Sequence, residues 1–146
     1  MNTNNDSLRD KIGISPEETL EIATIGSIFY KQGNLDKAKI IFEGLNELDS
    51  DIFEIQSCLG AFYTRIREDE KALLHLNKAI SLNPDKVAPY VNRAEVNIRR
   101  FNIEEVVTDI LTVIKLDPKI SDPDANRART MLLGIYDALK TKSWIK

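Results

Sequence analysis

The sequence has a single cysteine, Cys58, and a single histidine, His75. One thiol makes no internal disulfide, and neither residue has neighbours at the spacing of a zinc site or a thiol–imidazole nucleophile. The six glycines form no phosphate-cradling loop and no nucleophile elbow. No apolar run approaches the roughly 20 residues that cross a bilayer. The opening residues Met1-Asn2-Thr3-Asn4-Asn5-Asp6 lack the basic-then-apolar layout of a signal peptide. Excess positive charge is missing too, with 20 Lys and Arg against 23 Asp and Glu, so nothing global attracts nucleic acid or an anionic membrane. The pairs Arg99-Arg100 and Arg127/Arg129 are too few, and too mixed with acids, to change that. These gaps set the first expectations: no enzyme activity, no cofactor, no metal, no nucleic acid, no membrane, and a cytoplasmic location by default.

What is present is a period. Leu59-Gly60-Ala61-Phe62-Tyr63 is followed by Lys71-Ala72 and Asn83-Pro84. Thirty-four residues earlier stand Ile25-Gly26-Ser27-Ile28-Phe29, Lys37-Ala38 and Asp49-Ser50. Thirty-four residues later stand Arg93-Ala94-Glu95, Glu105-Val106 and Asp117-Pro118. A fixed period of this length marks an array of helix pairs. With 42% hydrophobic and 29% charged residues, the 146-residue chain suits one globular domain.

Helix signals fit the period. Residues 1–14 are Asn-rich and read as a flexible lead-in, with Leu8, Ile12 and Ile14 as docking points. Ser15-Pro16-Glu17-Glu18 predicts an N-cap, a first-turn proline and a capping box, opening a helix to about Lys31. Gly33-Asn34 ends it. Further helices are expected over about 36–48, 52–65, 70–82, 86–99 and 103–116, with Asn83-Pro84 and Asp117-Pro118 as stops. Pro89 falls in a first turn, where a missing N–H costs nothing. A last helix over about 123–142, capped by Asp122, carries an apolar stripe of Ala125, Ala128, Leu132, Ile135 and Leu139 that should cover the open end of the last pair. Trp144 and Ile145 either close that end or stay loose. Small residues at Gly26, Gly60, Ala94, Ala38 and Ala72 let paired helices approach, and the large apolar residues around them are core.

This spacing resembles the tetratricopeptide repeat, with three units at 19–52, 53–86 and 87–120. The third departs from the pattern at Arg93, Asn97 and Val106. The resemblance implies an all-α, right-handed α-solenoid of three helix pairs within 15–120, closed by a capping helix and tail over 121–146. A narrower resemblance is to the chaperones of bacterial type III secretion. It rests on Tyr30-Lys31-Gln32-Gly33-Asn34-Leu35-Asp36-Lys37-Ala38, continuing to Leu45, and on Leu59-Gly60-Ala61. The translocator chaperones have a longer N-terminal helical region, so the shorter needle-subunit chaperones are an equal comparison.

First helices of such pairs line a concave groove. By repeat position that groove takes Leu20, Ala23, Ser27 and Tyr30, then Ser57, Ala61, Thr64 and Arg65, then Ala88, Val91, Asn92, Glu95 and Arg99. Ala61 and Ala88 read first as packing residues, and Tyr30, Asn92 and Arg99 as binding residues. Lys31, Arg65 and Arg99 recur at one repeat position near helix ends, where cations favour the helix dipole. Repeat domains that grip the acidic C-terminus of heat-shock chaperones use a clamp of Lys, Asn and Arg. Its matching positions here are Ala23, Ser27, Cys58, Ala88 and Asn92, of which only Asn92 fits. The expected role is non-catalytic binding of an apolar segment of a protein or peptide client, a secreted translocator or needle subunit in the chaperone reading. The alternative is a scaffold or assembly subunit that uses the convex side or the closing helix, and the ends of such arrays also admit a homodimer.

Overall fold

The computed structural model describes residues 6–142, and among them every regular element is a helix: α1 Leu8–Ile12, α2 Pro16–Lys31, α3 Leu35–Leu48, α4 Phe53–Arg65, α5 Asp69–Leu82, α6 Val87–Arg99, α7 Ile103–Leu116 and α8 Pro123–Lys142. The fold is all-α. The chain divides between Asn83 and Pro84 into two compact units. Trp144 and Ile145 lie outside the described residues.

In the first unit α2 pairs with α3 and α4 with α5. The Ser15 side chain accepts from the Glu18 N–H at 3.1 Å, and the Glu18 carboxylate accepts from the Ser15 N–H at 2.8 Å, which closes the capping box the sequence called for. The same turn then closes the first helix of each pair. Asn34, Glu68 and Asn102 donate their N–H to the carbonyls of Phe29, Tyr63 and Asn97 at 2.9–3.0 Å. Gly33, Arg67 and Phe101 donate to Tyr30, Thr64 and Ile98 at 3.1–3.3 Å. These bonds make three Schellman turns, each with a left-handed residue at 33, 67 or 101 (φ of 79°, 62° and 59°). Only the first of these residues is glycine.

Close approach explains the small residues. A Cβ on Gly60 would stand 2.4 Å from Leu76 Cδ2, and one on Gly26 would stand 2.7 Å from Phe42 Cε1. Ala38, Phe42, Leu45, Ile55, Leu59, Ala72, Leu76 and Ala79 are buried around these contacts. A polar chain runs through the same unit. Gln56 Nε2 donates to Asn46 Oδ1 at 2.7 Å and to the Ser50 carbonyl at 2.8 Å. Its Oε1 is therefore left to accept from His75 Nδ1 at 2.7 Å. His75 stacks on Tyr63, whose hydroxyl donates to Glu43. His75 is thus a packing residue, and burial lowers its pKa.

The segment before Ser15 differs from the flexible lead-in read from sequence. Residues 8–12 are helical, with their own capping box between Ser7 and Asp10 and a left-handed Gly13. Leu8 and Ile12 do not dock, since both are exposed. Arg9 does the anchoring: its Nε lies 3.0 Å from Asp49 Oδ2, and its Nη1 donates to the Ile14 carbonyl at 3.1 Å.

In the second unit α6 pairs with α7, and α8 packs against both. Arg93 occupies the repeat position held by Ile25 and Leu59. It is accommodated by a two-pronged bond to Asp109, with Nε–Oδ2 at 2.9 Å and Nη2–Oδ1 at 2.7 Å. The Asp109 side chain is 3% exposed and that of Arg93 25%, so the carboxylate is interior while the guanidinium keeps an edge in solvent. Asp122 caps α8 by accepting from the Asp124 N–H at 2.8 Å. The stripe expected along α8 is only half used. Ala125 and Ala128 are buried, Leu132 and Ile135 half-buried, and Leu139 exposed. The C-terminal half of α8 is exposed, with Leu133, Tyr136 and Leu139 at 53%, 62% and 60%.

Candidate functional site

In the first unit the structure brings the α2 and α4 candidates side by side. Ser27 Oγ lies 3.8 Å from Cys58 Sγ. Tyr30 donates its hydroxyl to the Ala61 carbonyl at 3.5 Å, and its ring meets Phe62 at 6.5 Å between centroids. The Arg65 guanidinium stands 4.8 Å from the Tyr30 ring centre, and its Nη1 donates to the Tyr30 carbonyl at 2.5 Å. Tyr30 is thereby a half-exposed aromatic fixed from one side by a cation and bordered by the small residues Ser27 and Ala61. Ser57 is half-exposed and Leu20 exposed beside them. Arg65 does more than complement a helix dipole, because it braces Tyr30.

Two candidates here need correction. Ala23 and Thr64 are buried, and Thr64 turns its hydroxyl back to the Gly60 carbonyl at 2.7 Å. They lie under the surface rather than on it. Repeat position assigns a helix face, while depth depends on the neighbouring helix. Cys58 is half-buried, and burial raises its pKa.

In the second unit Val91 is fully buried and is likewise corrected from groove to core, while Ala88 is half-exposed. Asn92, Glu95 and Arg99 form a polar cluster with a residue from α8. Arg127 Nη2 donates to Asn92 Oδ1 at 2.6 Å, and the same guanidinium lies 3.8 Å from Glu95 Oε2 and 3.4 Å from Asp124 Oδ1. Arg99 Nη1 lies 3.4 Å from Glu95 Oε1. Two guanidiniums are balanced by two carboxylates, so the cluster is set up for hydrogen bonding rather than as a bare cationic trap.

Arg127 is the residue that sequence reasoning passed over. Ala125, Arg127 and Ala128 follow Val91, Arg93 and Ala94 by 34 residues, so α8 continues the phase of the first helices. That phase puts Arg127 at the packing position of Arg93, and its bond to Asn92 has no signal in the sequence.

Residues 23–52 match the tetratricopeptide repeat family. A CTR9 homolog of Arabidopsis thaliana is 32% identical over 74 residues, or 51% of this chain, which spans only 7% of that relative's length. Among solved structures, a type III secretion complex from Aeromonas hydrophila superposes with a TM-score of 0.77 at 21% identity, covering 96% of this chain and 92% of that one. The Yersinia enterocolitica type III secretion chaperone SycD, in complex with a peptide of the translocator YopD, gives 0.73 at 17% identity, covering 90% and 98%. The first repeat domain of Spaghetti (RPAP3), bound to the HSP90 peptide SRMEEVD, gives 0.74 at 22% identity, covering 86% and 96%. These likenesses show the fold alone: the helix pairs are arranged like those of the tetratricopeptide-repeat structures they superpose on.

Proposed function

We propose that the protein is a non-catalytic peptide-binding module that holds an apolar segment of a protein client, in the manner of a type III secretion chaperone. The observation that carries this reading is Tyr30, presented half-exposed between Ser27 and Ala61 and braced by Arg65. A fixed aromatic bordered by small side chains offers an apolar side chain a shallow seat at little entropic cost. The client class is a secreted translocator or needle subunit, and the setting is the bacterial cytoplasm. No described helix is long and apolar enough to cross a membrane. The neighbour that holds a translocator peptide supports this partner class.

The carboxylate-gripping role fits poorly. SRMEEVD is acidic, and four of the five clamp positions here are Ala23, Ser27, Cys58 and Ala88, which carry no positive charge or amide. A scaffold role has one observation in its favour, the exposed C-terminal half of α8.

The test is copurification from the native host with quantified client recovery. Tyr30→Ala and Ala61→Glu should each reduce a stoichiometric secreted client by tenfold or more on the order of a lost anchor residue. Full client retention in both variants would sink the groove reading, and loss on Leu139→Asp alone would favour the scaffold.

A further inference from the structure

The second unit carries an apolar cleft of about 430 Å³. Ile98 and Ile103 line it from the α6–α7 side, Ile135, Ala138 and Leu139 from α8, and Phe101 from the turn between α6 and α7. Phe101 is 86% exposed and holds a left-handed φ of 59°, a conformation that glycine meets without steric cost and phenylalanine does not. Neither packing among the described residues nor turn geometry accounts for an aromatic there.

The size of the cleft limits what can fill it. A specific protein–protein contact buries on the order of 1,200 Å² or more, several times what a recess of this volume offers. One aromatic side chain buries about 150–250 Å², which is the scale of the cleft. A contact that small holds its ligand only when the ligand is tethered, because a short linker raises the effective concentration to about millimolar. The fitting occupant is therefore a side chain of this same chain on a short tether.

The chain supplies one. After Leu139 come Lys140, Thr141, Lys142 and Ser143, all polar, and then Trp144 and Ile145. Lys142 ends α8 and stands three residues beyond Leu139, or about 4.5 Å along the helix axis. Two extended residues span at most about 7 Å, so a reversal after Lys142 returns Trp144 to the level of Leu139.

We propose that Trp144 turns back at the end of α8 and seats its indole in this cleft, against Phe101 and Leu139. An aromatic pair at the rim explains why Phe101 stands where the turn favours glycine. The residues after Lys142 then cover the apolar end of α8, and the exposure of Leu139 needs no assembly partner to explain it. The inference does not depend on the client reading.

Trp144 is the single tryptophan, so the intrinsic fluorescence of the full chain reports its surroundings alone. Emission of the folded chain should lie to the blue of the urea-unfolded chain, and acrylamide should quench it several-fold less. Ala138→Arg puts a charge in the cleft, and Phe101→Gly removes its rim while suiting the turn. Each should move emission and quenching toward the unfolded values with the far-ultraviolet circular dichroism unchanged. The protection should be the same from about 1 to about 200 µM chain, since only an intermolecular contact depends on concentration. Emission of the folded wild type at the unfolded position overturns the proposal, as does protection that survives both Ala138→Arg and Phe101→Gly. Protection lost on dilution would assign the cleft to a second copy and overturn it equally.

Discussion

Replacing Gly60 by alanine tests the helix-pair contact directly. The new Cβ would lie 2.4 Å from Leu76 Cδ2 and 2.7 Å from Leu76 Cγ. Leu76 is fully buried, so its side chain has nowhere to swing, and α4 and α5 must separate by several tenths of an ångström. Overpacking of this kind costs about 1–3 kcal/mol. At a contact this short the upper part of that range applies, about 2–3 kcal/mol, and alanine in mid-helix returns about 0.8–1 kcal/mol of propensity, leaving a net loss of about 1–2 kcal/mol. Gly44, in the middle of α3, is the internal control, because its added Cβ would meet nothing within 4 Å. Gly44→Ala should therefore gain about 0.5–1 kcal/mol from propensity alone. Urea unfolding followed by far-ultraviolet circular dichroism measures both, with the midpoint moving down for Gly60→Ala and up for Gly44→Ala at similar slope. If Gly60→Ala is neutral or stabilising while Gly44→Ala behaves as expected, the close α4–α5 contact is not what selects glycine.

Two further outcomes follow from the buried polar groups. Asp109→Ala removes the two-pronged bond to Arg93 and should cost about 3–5 kcal/mol, whereas the double change Arg93→Met with Asp109→Leu should come close to neutral; equal losses in both would contradict the ion-pair account. His75 has its pKa lowered, first by burial, so the unfolded chain takes up a proton before the folded one does. Stability should hold above the unfolded pKa of about 6.5 and decline as pH falls from there to the folded value. His75→Gln should remove that part of the slope, so coincident pH profiles of wild type and variant would refute it.

The array was legible because its signals are local and repeat. Gly26 and Gly60 mark close contacts, Pro84 and Pro118 mark stops, and Ser15 with Glu18 marks a start, all without knowledge of distant residues. The short α1 was illegible because what holds it is an ion pair to Asp49, 40 residues away, in a stretch whose composition is that of a loop. The candidate site residues were legible as helix faces and not as depths. Ala23 and Thr64 share their helix faces with Ser27 and Ala61 and are nevertheless buried, as are the neighbours Val91 and Asn92. Arg127 is not legible in the sequence, because the repeat phase that runs through α8 puts it at the packing position of Arg93, whereas its bond is to Asn92.

The Arg93–Asp109 pair has a consequence for how the chain finds its partners while folding. Repeated helices of similar length and pattern can pair out of turn, and near-identical apolar faces do little to prevent it. A guanidinium in the middle of α6 tolerates only a helix that brings a carboxylate to meet it. The corresponding position on α5, His75, and on α3, Ile41, would leave that charge stranded in an apolar seam. The prediction is that the pair works as a lock whose key is α7, setting the order in which similar pieces are joined. An exchange of its ends, Arg93→Asp with Asp109→Arg, should preserve that order, and the apolar double variant should refold with more trapped, mispaired chains even where its equilibrium stability is undiminished.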